Sequence, residues 1–206
     1  MLKKLLVIAG ITLSGSAFTH VATAAGDAEA GKAKAGVCAA CHGVAGVSSL
    51  PANPHLAGQV PGYIRGQLKA FKTGERKNPI MMAQAAGLSD EDMADLDAYY
   101  ATLTPSTQVN LTEADVEMAA AGERLYRGGY ADRGISACMG CHGPSGHGIS
   151  IHYPRVAGQH KEYLEQQLLS FKKGDRAGHN QIMAMVAFGL SEQQIKELSA
   201  YMAGLR

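Results

Sequence analysis

A five-residue pattern occurs twice in this chain, as Cys38-Ala39-Ala40-Cys41-His42 and as Cys138-Met139-Gly140-Cys141-His142, and it uses every cysteine present. Cys-x-x-Cys-His is the attachment signature of a c-type haem. The two thiols, three residues apart on one helical turn, each form a thioether to a haem vinyl group. The next residue places its imidazole under the iron as the proximal ligand. Two copies imply two covalently bound haem c groups, held by Cys38 and Cys41 and by Cys138 and Cys141, with His42 and His142 on the irons. Each half of the chain must therefore fold around a large apolar group, which supplies volume that the core of so small a domain lacks.

Other uses of the cysteines fit less well. Zinc sites built from two Cys-x-x-Cys pairs normally space them about 15–20 residues apart, far closer than here, and they do not explain a histidine after each pair. A thioredoxin-like redox motif needs a βαβ context that this sequence does not offer. Disulfides suit an exported chain but leave both histidines unaccounted for.

Export is readable from the first residues. Lys3 and Lys4 form a positive n-region, Leu5 to Leu13 an apolar core, and Ala22-Thr23-Ala24 a small-residue cleavage site. The expectation is a signal peptide over 1–24, cleaved after Ala24, and a periplasmic mature chain. The apolar stretch is too short for a membrane span. Taking Lys3 and Lys4 from the 19 basic residues leaves 17, against 18 acidic ones. A nearly neutral chain lacks the basic footprint of a nucleic-acid binder.

Both motifs sit at matching places in a long repeat. Pro54-His55-Leu56-Ala57-Gly58-Gln59 corresponds to Pro154-Arg155-Val156-Ala157-Gly158-Gln159, and Tyr63, Gln67, Leu68, Phe71, Lys72, Gly74 and Arg76 recur at the same offset. The offset then grows by two before Ile80-Met81 and Ile182-Met183. A period this long indicates duplicated domains rather than a solenoid: 25–104, a linker at 105–112 rich in Ser, Thr and Pro, and 113–206. The pattern inside each is helical. Ile64, Leu68 and Phe71 share one face, as do Leu164, Leu168 and Phe171. Met93, Leu96, Tyr100 and Leu103 predict a terminal helix, matched by Ile195, Leu198, Met202 and Leu205. Ser89 and Ser191 read as N-caps, Ser191 with Gln194 as a capping box. Further helices are expected from about Ala28 and Glu113 into each motif. Gly31 and Gly122 are expected to let the first and last helices cross closely, near Tyr99 and Tyr201. No alternating strand pattern appears, so the fold class is all-α.

The Pro-x-x-Ala-Gly-Gln and Tyr-x-x-x-Gln-Leu-x-x-Phe segments, together with the paired motifs, make the mature chain resemble the dihaem cytochromes c4, two class I cytochrome c domains in tandem. The resemblance implies irons held by His and Met, and electron carriage between respiratory complexes. Electrons would arrive from a quinol-oxidising complex and leave toward a terminal oxidase, with the chain peripherally associated with the membrane surface. It implies no small-molecule substrate. Among nine methionines, only Met81 and Met183 are methionine in both copies when counted back from Gly87-Leu88-Ser89 and Gly189-Leu190-Ser191, and the family's distal ligand falls at this place. The ligand sets are then His42/Met81 and His142/Met183, with Met82 and Met185 as the register alternatives. Core packing is the reading for Met82, Met93, Met118, Met185 and Met202. Pro54 and Pro154 each follow their His by twelve residues. The resemblance gives their carbonyls to the ligand imidazoles; loop stiffening is the plain alternative.

His55, His147, His152, His160 and His179 lack a preceding Cys pair and do not recur, so they read as solvated or loop histidines. Arg76, Arg176, Tyr63, Tyr163, Gln67 and Gln167 recur, which suits haem propionates, the domain interface, or ordinary capping and core roles. Two matched distal methionines would close both irons to substrate, so the reading is a carrier and not an enzyme. The alternatives are a dihaem peroxidase-like enzyme, the haem subunit of a periplasmic dehydrogenase, or a haem-based ligand sensor, which needs an exchangeable distal ligand.

Overall fold

The first and last helices of each half cross on a glycine. In a computed structural model, which describes residues 26–206 apart from Val109 and Ser150, a Cβ on Gly31 would lie 2.0 Å from the Asp95 carbonyl oxygen, and one on Gly122 would lie 2.0 Å from that of Glu197. Tyr99 and Tyr201 flank these crossings, as the sequence predicts. The expected signal peptide and its cleavage point fall outside the described residues.

Ten α-helices are found among the described residues, five in each half. The first half holds α1 (Ala28–Lys34), α2 (Gly36–His42), α3 (Tyr63–Thr73), α4 (Pro79–Ala86) and α5 (Asp90–Thr102). The second holds α6 (Glu113–Gly128), α7 (Met139–His142), α8 (Lys161–Lys173), α9 (Ile182–Phe188) and α10 (Glu192–Gly204). Among the described residues there is no sheet, only two isolated bridges, and no helix is long and apolar enough to cross a membrane. Ser89 and Ser191 both close capping boxes, with Asp92 and Gln194. Thr112 makes a third with Asp115 at the start of α6. Ile64, Leu68 and Phe71 of α3 join Met93, Leu96 and Tyr100 of α5 in one core; Leu164, Leu168 and Phe171 join Ile195, Leu198 and Met202 in the other.

The halves differ where the second motif begins. Helix α1 runs almost directly into α2, whereas α6 ends at Gly128 and a 3-10 turn at Ala131–Arg133 and a Tyr130–Ile135 bridge intervene before α7. The two-residue growth of the offset falls on a 3-10 turn at His179–Gln181, where Asn180 and Gln181 adopt φ of 48° and 58°. Between the halves, Pro105 packs on Gly58, and Ser106 is buried with its carbonyl beside Gly158.

The two halves meet through a near-two-fold set of bonds. Gln59 accepts the Arg155 amide at 2.7 Å and donates to the Arg155 carbonyl at 3.1 Å; Gln159 does the same to His55, at 2.9 and 3.0 Å. Arg76 donates to Gln67 of its own half and to Tyr163 and Gln167 of the other, and Arg176 mirrors it onto Gln167, Tyr63 and Gln67. Each guanidinium also lies over a phenylalanine of its own half, Phe71 or Phe171, at 4.6 and 4.5 Å. The recurring Arg, Tyr and Gln residues therefore build the interface. Burial alone pushes the Tyr163 phenol up, but Arg76 and Arg176 outweigh it and hold it below its usual range.

Two histidines depart from the solvated reading. His160 is buried and His55 half-buried, and their rings face each other across the interface at 4.0 Å. The Ser48 amide donates to His55 Nδ1 at 3.0 Å, and His160 Nε2 donates to the Ser48 carbonyl at 3.0 Å. Non-recurrence misled because the interface pairs residues from different places in the repeat. His147 and His152 are exposed, as expected.

Candidate haem centres

Helix α2 is two turns long and carries Cys38 in its first turn and Cys41 and His42 at its end; in the second half Cys138 stands at the N-cap of the single turn α7, which ends on His142. Gly43 and Gly143, with φ of 78° and 82°, turn the chain away immediately after each histidine. Both imidazoles are buried. His42 Nδ1 lies 2.9 Å from the Pro54 carbonyl and His142 Nδ1 lies 2.8 Å from that of Pro154. A carbonyl only accepts, so each Nδ1 carries the proton and each Nε2 keeps a lone pair for a metal. Burial lowers both imidazole pKa values, partly opposed by the proline carbonyls, which keeps the rings neutral as ligation requires.

The methionines separate by burial. Cys38, Leu56 and Met81 each pack against the first core, and Cys138, Met139 and Met183 against the second. Met82 is 37% exposed and Met185 65%. Met93 and Met202 are buried in the cores. Ser48 does not recur, its counterpart being Gly148, whereas Asn78 recurs as Asn180 once the offset has grown by two. Ser48 Oγ donates to the Cys41 carbonyl at 2.9 Å, and Asn78 caps α4 by accepting the Met81 amide at 3.0 Å. An Asn-Pro pair ahead of an apolar run is a helix-start signal that reveals Asn78.

The donor set fits a covalently attached haem in each half. No cysteine is paired with another. Among the described residues no group of three His, Cys, Asp or Glu is placed to hold a metal ion by itself. Each half presents two thiols, a neutral imidazole with Nε2 available, and a thioether packed against its core. Two such centres on sister all-α domains define a dihaem c-type cytochrome.

Comparison with known proteins agrees. The family model for cytochrome c matches residues 28–104 and 119–206. Cytochrome c4 of Pseudomonas aeruginosa is 43% identical over 207 aligned positions, 99% of this chain and 100% of that protein. The crystal structure of reduced recombinant cytochrome c4 from Pseudomonas stutzeri matches with a TM-score of 0.82 at 41% identity, over 88% of this chain and 100% of the other. A thiosulfate dehydrogenase electron acceptor of Stutzerimonas stutzeri is 38% identical over 82% of this chain and 78% of its own length. The chain belongs to the cytochrome c4 family, and its two motifs bind haem c covalently through Cys38 and Cys41 and through Cys138 and Cys141. It is a dihaem electron carrier, not an enzyme.

Proposed function

We propose that this chain carries single electrons in the periplasm, after export and cleavage behind Ala24, from a quinol-oxidising complex to a terminal oxidase. His42 and Met81 hold one iron, and His142 and Met183 the other. The observation that carries the ligand assignment is the matched geometry of the halves. In each, a proline carbonyl fixes the imidazole tautomer at Nδ1, and one repeat-matched methionine packs on the same core as the first attachment cysteine. Each haem, when bound, supplies an iron that alternates between ferrous and ferric. The chain's part would be to supply a His and a Met ligand to each iron, which would leave no place for a substrate and let the charge change with little rearrangement. Thioether sulfur on the iron favours the reduced state and raises the potential. Pro54 and Pro154 raise the basicity of the imidazoles by accepting their Nδ1 protons.

A second source of electrons, a periplasmic dehydrogenase, is favoured by the likeness to the thiosulfate dehydrogenase electron acceptor. The central test of the ligand assignment is a redox-monitored optical spectrum of the wild type, Met81→Ala and Met183→Ala. Each substitution is expected to remove about half of the Met–iron charge-transfer band and to lower one potential. A full band in either variant refutes the assignment. Reduction of the oxidised protein by a quinol-oxidising complex, compared with reduction by thiosulfate dehydrogenase, separates the two electron sources.

A further inference from the structure

The helices that carry Met81 and Met183 are weakly anchored by apolar packing. Ala85 is the buried residue of α4 and Ala187 that of α9, while Ile80, Met185 and Phe188 are all mostly exposed. Each helix meets a lysine at its far end. Lys72, in the last turn of α3, donates to the Leu88 carbonyl at 2.5 Å. Lys172, at the same place in α8, donates to the carbonyls of Phe188 and Leu190 at 2.9 and 2.7 Å, and its ammonium lies 5.8 Å from the centre of the Phe188 ring. A helix C-terminus leaves its last carbonyls without partners and carries partial negative charge. Lys172 meets one of these at Phe188, the last residue of α9. Leu88 and Leu190 stand two residues past α4 and α9, so both lysines tie down the junctions that follow those helices. The opposite ends are unequal. Asn78 caps α4 at the amide of Met81 itself, whereas α9 starts from a left-handed Gln181 with no side-chain cap.

We propose that Lys72 and Lys172 are positioning residues that hold Met81 and Met183 on the irons by tying down the distal ends of α4 and α9. The proposal rests on the axial-ligand assignment above. Thioether sulfur is a soft donor that binds the reduced iron better than the oxidised one. The oxidised protein is therefore where the methionine leaves most readily, and the anchoring of its helix sets how often. Lys172 has the larger share, because it makes two carbonyl bonds, one of them to the last residue of α9, where Lys72 makes one.

The test uses oxidised holoprotein titrated with imidazole, following loss of the Met–iron charge-transfer band. In a Met183→Ala background the band reports the first haem alone, and in a Met81→Ala background the second alone. An external ligand binds only where the methionine has left, so its apparent affinity rises in proportion to the open fraction. Lys72→Met is expected to lower the half-point about tenfold and Lys172→Met about a hundredfold, with Lys72→Arg and Lys172→Arg within about threefold of their parents. Half-points for both Met variants within about twofold of the parents, with the band present, overturn the lysine role alone. Loss of the entire band in Met183→Ala, or an undiminished band there, overturns the ligand assignment and this proposal with it.

Discussion

Asp97 tests how the first half of the molecule sets the start of α3. It lies on α5, is 7% exposed, and its carboxylate accepts the amides of Gly62 at 2.6 Å, Ile64 at 2.9 Å and Arg65 at 3.2 Å. Helix α3 begins from a left-handed Gly62 with no side chain to offer, so its cap comes from a residue more than thirty positions away. At the equivalent place in the second half stands Ser199, buried, with its hydroxyl lacking a hydrogen-bond partner among the described residues, and α8 starts without a side-chain cap. An N-cap is worth about 0.5–2 kcal/mol, and a hydrogen bond to a charged group about 1.5–3 kcal/mol. With three amides sharing one carboxylate, Asp97→Ala is expected to cost about 3 kcal/mol at the start of α3. That corresponds to about two orders of magnitude in local opening. Native-state hydrogen exchange reads this directly at the Ile64 and Arg65 amides. Asp97→Asn should fall between, because Gly62 bonds one oxygen and Ile64 and Arg65 the other, and an amide side chain has only one acceptor. Protection of Ile64 and Arg65 in Asp97→Ala within about threefold of wild type would refute the remote cap.

The other expectations concern packing and pH. Gly122→Ala places a Cβ 2.0 Å from the Glu197 carbonyl oxygen; forced separation of α6 and α10 should cost about 1–3 kcal/mol. It is read as a lower urea midpoint, and an unchanged midpoint counts against the close crossing. His55 is held neutral down to about 4, first by burial and then by the neighbouring His160. A depressed histidine gives stability that is complete above its ordinary pKa of about 6.5 and is lost as pH falls toward 4. Between those values protease cleavage in the 105–112 linker should accelerate, and His55→Gln should flatten that pH dependence. Equal acceleration in both proteins would remove His55 as the cause.

What the sequence revealed was whatever repeats locally. The Cys-x-x-Cys-His pairs, the apolar faces of α3, α5, α8 and α10, the Ser89 and Ser191 caps and the glycine crossings are all set by residues close in sequence or matched between halves. Ser89 was legible as a cap but not as a capping box, because Asp92 replaces the usual Glu or Gln. The features that stayed hidden join distant segments. Asp97 caps α3 from another helix, and His55 meets His160 although their repeat counterparts are Arg155 and Val60. Nor does any local pattern show that α6 stops ten residues short of Cys138.

The glutamine clamps between the halves grip only main chain. Gln59 bonds the amide and carbonyl of residue 155, and Gln159 those of residue 55, so neither contact senses which side chain stands there. One copy carries a histidine and the other an arginine with no change in the bonds that align the domains. Mutual orientation is thereby separated from local charge. The two halves of a duplicated chain can drift apart in electrostatic character beside their respective haem domains while the joint between them stays the same.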